Sequence, residues 1–349
     1  MQALTFGGIE KIDFSNVADP AIINPDDAIV KISLAGICGS DLHVYHGREM
    51  GLDNGTVMGH EFTGIIEEAG AAVKRFKKGD RVLSPFTTSC GECFYCRTGL
   101  TCRCEKGSLF GWVQHGHGLQ GAQANYVRVP MADHTLLPLS NDLNGKKGLL
   151  LGDVFSTGFF CADNADITHK SICVVIGCGP VGLMSIVAAK HLGAPVVIAI
   201  DTVDARLEQA GNFGALPINA AGSDPKDEVM IRTNGHGADI AMEAVGSDKA
   251  LLLAMDLLRP GGTISSVGVH TTENFSFSPG QAYDKNLTYK TGRCPAHFYA
   301  EKLLREEIPQ RFPIEDIITH EFPLNEGPIA YEVFDKKKDY CIKAVLRMD

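Results

Sequence analysis

The spacing of apolar residues changes character once along the chain. Residues 28–34 and 62–68 alternate or run apolar over strand length. The turn Lys78-Gly79-Asp80 feeds another such run, and residues 124–129 give a fourth. No helical period of any length precedes residue 140, which predicts an all-β opening. From Ser171 the pattern becomes α/β. Apolar runs at 172–176, 196–201, 216–219, 238–244 and 262–267 read as buried strands, with helices predicted at 183–192, 205–213, 226–233 and 248–258. Residues 287–290 are a candidate sixth strand. The tail from Arg293 ends in the β-like run 342–346, placed to rejoin the opening part.

Composition narrows the class. With 349 residues the chain is long enough for two domains with separate cores. Hydrophobic residues at 44% and charged residues at 21% are those of an ordinary soluble globular protein. The net charge of −10 and the lack of a basic block remove the electrostatic footprint of a nucleic-acid binder. The apolar stretch 172–200 is interrupted by Gly177, Gly179, Pro180, Gly182, Lys190 and Gly193, so it reads as strand–helix–strand and not as a membrane span. The opening residues lack the charged and apolar segments of an export signal, so a cytoplasmic protein is expected. In that compartment its 11 cysteines argue for thiols and metal ligands over disulfides.

Chemistry concentrates in a few short runs. Gly59-His60-Glu61-x2-Gly64-x5-Gly70 suits a metal ligand held in a tight turn, although a His-Glu pair alone is often only a surface pair. Cys38 lies in the Gly-flanked loop Gly36-Ile37-Cys38-Gly39-Ser40-Asp41-Leu42-His43; alone it would read as a buried small hydrophobe, and beside His60 it reads as a ligand. Cys90-x2-Cys93-x2-Cys96-x7-Cys104 can close a thiolate tetrahedron around a structural zinc, with Cys102 left over. Asp153 interrupts the apolar run 149–158, where an isolated carboxylate is costly. It is either the N-cap of a following helix or a further metal ligand.

Gly177-Cys178-Gly179-Pro180-Val181-Gly182 falls between a predicted strand and a predicted helix, and Asp201 closes the next strand 19 residues after Gly182. That context is the dinucleotide-binding one. The glycines admit the pyrophosphate to backbone N–H groups at a helix start, and the acid receives the ribose hydroxyls. Arg206, five residues on, is the nearby cation able to accommodate a 2′-phosphate.

Together these motifs, spread over nearly the whole chain, resemble the zinc-dependent medium-chain alcohol dehydrogenases. The resemblance implies an α/β-plus-β protein: a GroES-like catalytic domain over residues 1–152 and 293–349, and an inserted Rossmann domain over 153–292. It implies a catalytic zinc on Cys38, His60 and Asp153, a structural zinc on Cys90, Cys93, Cys96 and Cys104, and NAD as cofactor. Ser40 matches the hydroxyl that takes the substrate proton, His43 the imidazole that passes it on, and Glu61 a carboxylate beside the metal. Pro180, Val181, Thr157, Val245 and Val269 fall at cofactor-binding positions, and Lys343 where a basic side chain meets the pyrophosphate. Phe86, Trp112 and Cys294 fall around the substrate.

Asp153 stands where many alcohol dehydrogenases carry a second Cys. In this the chain is similar to microbial secondary-alcohol dehydrogenases, although it keeps a four-cysteine lobe that many of those lack. A small secondary alcohol and its ketone are the expected substrates. The alternatives are a polyol, amino-alcohol or aldehyde dehydrogenase of the same fold, and a non-catalytic dinucleotide-binding protein. The resemblance also suggests a homo-oligomer, dimer or tetramer, with no membrane or nucleic-acid partner.

Overall fold

The computed structural model describes residues 1–348. The chain divides into two compact units, Met1–Ser156 joined by the chain from Pro295 onward, and Thr157–Cys294. The first break falls inside the helix Val154–Asp163. Asp153 therefore belongs to the first unit, whereas the sequence boundary at 152/153 put it in the second.

The first unit is built on a seven-stranded sheet. Its main path runs Ile318–Pro323, Lys343–Arg347, Ala28–Gly36, Phe62–Ala69, Arg81–Ser84 and Leu137–Pro138, and Tyr126–Val129 pairs separately with Ala28–Gly36. The tail strand thus joins the opening strands antiparallel, with Val345 opposite Gly36. The buried faces of these strands, with Tyr331 and Phe334 of the helix Gly327–Asp335, form one apolar core.

Register in this sheet decides what meets at the strand ends. Ala35 pairs with Phe62, so the turn carrying His60 and Glu61 lies beside the chain leading to Cys38. Phe62 pairs with Ser84, and a Cβ on Gly152 would run into the Ser84 carbonyl, which brings Asp153 to the same end. Gly59 has φ +90° and backs onto Gln123, so this turn needs glycine for its backbone as well as for space. Gly64 needs only space, because strand Ala28–Gly36 crosses close over it.

One expectation fails here. The opening part is not free of helix: Gly39–Tyr45, Phe94–Arg97 and Ala132–Thr135 are helical. All three are too short to show a 3.6-residue period in sequence. The helices Ala296–Arg305 and Gly327–Asp335 in the tail also escaped the sequence reading.

The second unit is a six-stranded parallel sheet in the order Leu216–Asn219, Val196–Asp201, Ile172–Ile176, Ala238–Glu243, Leu258–Ser266, Thr288–Thr291. Helices connect the strands, as parallel pairing demands. The order runs outward in both directions from Ile172–Ile176, so the crevice between that strand and Ala238–Glu243 is the topological switch point where such sheets bind ligands.

Candidate active site

Four buried side chains converge in the first unit. Cys38, His60, Glu61 and Asp153 each offer one ligand atom, and these atoms all lie within 4.8 Å of one another. Cys38 precedes the helix Gly39–Tyr45, and His60-Glu61 follows the left-handed Gly59. Asp153 sits at a one-residue break between the helices Gly145–Gly152 and Val154–Asp163, with φ −146° and ψ −75°. That break turns its carboxylate to 3.3 Å from Cys38 Sγ and 3.4 Å from His60 Nε2.

A tetrahedral zinc with ordinary Zn–S, Zn–N and Zn–O lengths has edges of about 3.3–3.7 Å between such atoms. One thiolate, one imidazole and one carboxylate at these separations fit zinc. Ser40 Oγ stands 3.3 Å from His60 Nε2, on the same donor cluster.

A second layer fixes these donors. Asp41 Oδ1 faces His60 Nδ1 at 3.4 Å, while Asp41 Oδ2 accepts the Cys38 backbone N–H at 2.9 Å. Gln123 Nε2 donates to Asp41 Oδ2 at 3.4 Å, and the Tyr331 hydroxyl donates to Gln123 Oε1 at 2.9 Å. Such carboxylate–histidine pairs orient a ligand imidazole and leave its other nitrogen for metal. Asp41, Gln123 and Tyr331 were missed from sequence. Asp41 carried a local signal, an acid three residues after a helix-capping position, but nothing local ties Gln123 or Tyr331 to His60.

Lys343 overturns its expected role. Its side chain is 1% exposed and its Nζ donates to Glu61 Oε2 at 2.5 Å, Glu61 Oε1 at 2.7 Å and the Ile37 carbonyl at 3.0 Å. With all three ammonium protons so placed, it is a buried partner of Glu61 and not a pyrophosphate ligand. Gly36 makes room for this pair, since a Cβ there would collide with Glu61 Oε2.

Electrostatics follow from the burial. Burial, with the charges of Asp153 and Glu61, pushes the Cys38 thiol up to about 11. Burial opposes a charged His60, but Asp41, Asp153 and Cys38 together hold it well above its usual range. Burial also opposes a charged Asp153; the hydrogen bond and charge of His60 outweigh it and bring the carboxyl down to about 2. Lys343 is held above the usual lysine range, against its burial, by Glu61 first. We take the Lys343–Glu61 pair as ionised, because the ammonium meets both carboxylate oxygens. A metal bound there would displace the protons of Cys38 and His60 and meet the Asp153 carboxylate directly.

The second cluster is Cys90, Cys93, Cys96 and Cys104, all thiols and all within the same 4.8 Å limit. Cys90 and Cys96 sulfurs are 4.0 Å apart, close to the edge of about 3.8 Å expected for a tetrahedral thiolate zinc and far from a disulfide bond. Backbone N–H groups of Cys90 and Cys93 point at the sulfurs of Cys104 and Cys90. Cys102 is outside the cluster. The donor set fits a closed structural site with no position left for substrate.

In the second unit, Gly177 has φ +85°, and a Cβ on Gly182 would collide with its carbonyl, so the glycines are needed for turn and packing respectively. Pro180 and Val181 open the helix Pro180–His191, where Pro lacks an N–H that would have no partner. Asp201 Oδ2 accepts the Cys178 N–H at 2.7 Å, and Oδ1 accepts the N–H groups of Thr202 and Val203. Arg206 Nη1 lies 3.8 Å from Asp201 Oδ2 and its guanidinium faces Gly179. Val245 and Val269 are 47% and 46% exposed in the loops after two sheet strands, and Thr157 is half-buried.

Two family descriptions match: the alcohol dehydrogenase GroES-like domain over residues 24–140 and the zinc-binding dehydrogenase domain over residues 180–306. Zinc-type alcohol dehydrogenase B of Aspergillus flavus is 41% identical, over 97% of this chain and 79% of that protein. The chain belongs to the zinc-type alcohol dehydrogenase family. Among solved structures, alcohol dehydrogenase TADH from Thermus sp. ATN1 superposes with a TM-score of 0.93 at 39% identity, covering 100% of both chains. A glutathione-independent formaldehyde dehydrogenase of Bacillus subtilis is 33% identical over 88% of this chain and 84% of that protein. As a member of this family the chain is an alcohol dehydrogenase-type oxidoreductase with a GroES-like domain and a Rossmann-like sheet.

Within the zinc-type alcohol dehydrogenase frame, the expected pocket residues divide. Phe86 packs edge-on to His60, with ring centroids 6.3 Å apart, so it borders the donor cluster. Trp112, in the hairpin Trp112–Gln114/His117–Leu119, packs partly buried against the first unit's core. Cys294 is buried in the second unit. Among the described residues no helix is long and apolar enough to cross a membrane.

Proposed function

We propose that this chain transfers hydride reversibly between a small secondary alcohol, or its ketone, and NAD. Zinc would be held by Cys38, His60 and Asp153. The observation that carries this reading is the buried thiol–imidazole–carboxylate cluster at tetrahedral edge lengths. Zinc bound there would supply a Lewis acid that favours the alkoxide form of the alcohol.

Ser40 accepts the substrate's hydroxyl proton and His43 passes it on. They are three apart on the helix Gly39–Tyr45, a spacing that puts both on one face. Burial first, and the charge of Arg48 second, lower the His43 pKa, so its imidazole stays neutral and able to receive a proton. Its Nδ1 is buried without a partner among the described residues, ready for one. Phe86 supplies an apolar wall beside His60. Glu61, tied by Lys343, stays close to the donors without leaving the cluster.

Asp201 supports NAD over its 2′-phosphorylated form, because a phosphate there would meet a buried carboxylate. Arg206 is the cation nearby, with Nη1 3.8 Å from that carboxylate. Asp201→Gly is expected to lower the ratio of kcat/KM for NAD over NADP by about tenfold or more, the worth of hydrogen bonds to a charged group. A wild type that prefers NADP, or an unchanged ratio in the variant, refutes this assignment.

The formaldehyde dehydrogenase relative makes aldehyde handling the second reading. One panel separates them: secondary and primary alcohols, diols, ketones and formaldehyde, followed by reduced-nicotinamide absorbance and paired with metal analysis. Turnover of secondary alcohols by a zinc-loaded enzyme is the expected result. Activity confined to formaldehyde would move the assignment, and no turnover of any member would return the chain to a binding role. The resemblance further suggests a cytoplasmic homo-oligomer, dimer or tetramer, to be read from its mass in solution.

A further inference from the structure

Glu243 has no part in the chemistry above, yet it is fully buried at the end of the strand Ala238–Glu243, beside the switch-point crevice. Its carboxylate is saturated. Oε1 accepts the N–H groups of Val245 and Gly246, both at 2.7 Å. Oε2 accepts the Ser266 hydroxyl at 2.7 Å and faces His270 Nε2 at 3.1 Å. Its own carbonyl receives the Val267 N–H at 2.9 Å. A single residue therefore ties the loop after its own strand to the loop after the strand Leu258–Ser266.

The two loops also touch backbone to backbone. A Cβ on Gly246 would collide with the Val269 carbonyl, and one on Gly268 with the Gly246 nitrogen. Val245 reaches across to the phosphate loop, where its Cγ2 occupies the space a Cβ on Gly177 would need. Val245 and Val269, the residues these ties immobilise, are both close to half exposed. A buried, fully paired carboxylate under two exposed apolar side chains does not serve a core, which would gain more from an apolar residue.

A Ser, a His and a Glu in one cluster invite comparison with a nucleophilic triad. The geometry excludes it: His270 presents the same Nε2 to Ser266 and to Glu243, and the Ser266 proton goes to Glu243.

We propose that Glu243 and His270 are positioning residues for the nicotinamide end of the cofactor: together they clamp the loops that hold Val245 and Val269 as its apolar walls. This rests on the dinucleotide reading of the crevice. A clamp of this kind acts before binding, by removing loop freedom that the cofactor would otherwise have to remove. Its effect is local to one half of the ligand.

The test compares NADH with ADP-ribose, which keeps the adenosine and pyrophosphate and lacks the nicotinamide. Glu243→Gln keeps the shape but sets an amide N–H₂ against donors. His270→Ala, at a side chain 21% exposed, breaks the outer tie with little risk to folding. His270→Gln restores an N–H donor. NADH affinity is expected to fall about tenfold in Glu243→Gln and His270→Ala, with ADP-ribose affinity within about twofold and partial recovery in His270→Gln. Equal loss for both ligands, or loss of thermal stability with NADH affinity unchanged, would overturn the clamp while leaving the dinucleotide reading intact. A wild type that binds neither ligand would bring down both.

Discussion

At the scale of single residues, two carboxylates in the first unit have opposite fates. Asp153 reaches its cluster because one residue between two helices departs from helical backbone angles. Asp153→Asn keeps the shape and removes the charge. Zinc retention and turnover are each expected to fall, turnover by about a hundredfold or more, since even residues outside the ligand set cost about 10–100-fold. Full zinc content by elemental analysis together with full turnover would reduce Asp153 to a helix terminus.

Glu61 depends on Lys343 instead. Removing one member of a buried pair strands the other, at a cost of about 3–5 kcal/mol. Lys343→Met should lower the unfolding midpoint accordingly, and the double variant Lys343→Met/Glu61→Gln should recover much of the loss. A strictly additive double variant would show that the pair is not coupled.

At the scale of elements, the cysteine lobe is a loop segment with little regular structure, containing the four-residue helix Phe94–Arg97. So short a segment cannot bury a core and depends on its thiolate cluster. Cys93→Ser is expected to lose one zinc of two per chain and unfold at a lower temperature, while the enzyme that remains folded keeps most of its turnover. Metal content of one zinc in wild type, or a mapped disulfide among these cysteines, contradicts the assignment. The other telling element is the strand Lys343–Arg347. Its run of apolar residues marked it as β from sequence, but its pairing with Ala28–Gly36 is what delivers Lys343 to Glu61.

At the scale of the whole molecule, stability should depend on acidity through a residue remote from both clusters in sequence. His297 Nε2 is buried without a partner among the described residues, and burial, which Glu301 opposes and Arg75 and His134 reinforce, lowers its pKa to about 4. Between about pH 6.5 and 4 the unfolded chain binds this proton and the folded chain does not, so stability is present above that window and falls as pH drops through it. The full span corresponds to on the order of 3 kcal/mol. Thermal melts at pH 8 and pH 5 should separate further in wild type than in His297→Gln. An equal separation in both would assign the acid sensitivity to other groups.

The sequence alone determined the α/β succession of the second unit. Its strands at 172–176, 196–201 and 216–219 have the residues read from apolar runs. The first two are buried along most of their length, so their signal is a continuous apolar run that survives without context. It also determined Cys90, Cys93, Cys96 and Cys104 as a cluster, and Cys38, His60 and Asp153 as residues without a comfortable structural explanation. Each of these is a local statement: a spacing, or a charge in an apolar run. Tertiary structure decided the rest. Whether Asp153 capped a following helix or faced a thiol depended on the helix Gly145–Gly152 packing its Gly152 against the Ser84 carbonyl of a sheet strand. Lys343 was assigned to the wrong partner because a lysine's position in sequence does not reveal whether its ammonium is buried. Gln123 and Glu243 were unreadable for the same physical reason. A buried polar group is defined by the partners that satisfy it, and those partners lie 208 residues away in the Tyr331–Gln123 bond, 82 in the Gln123–Asp41 bond and 27 in the Glu243–His270 contact.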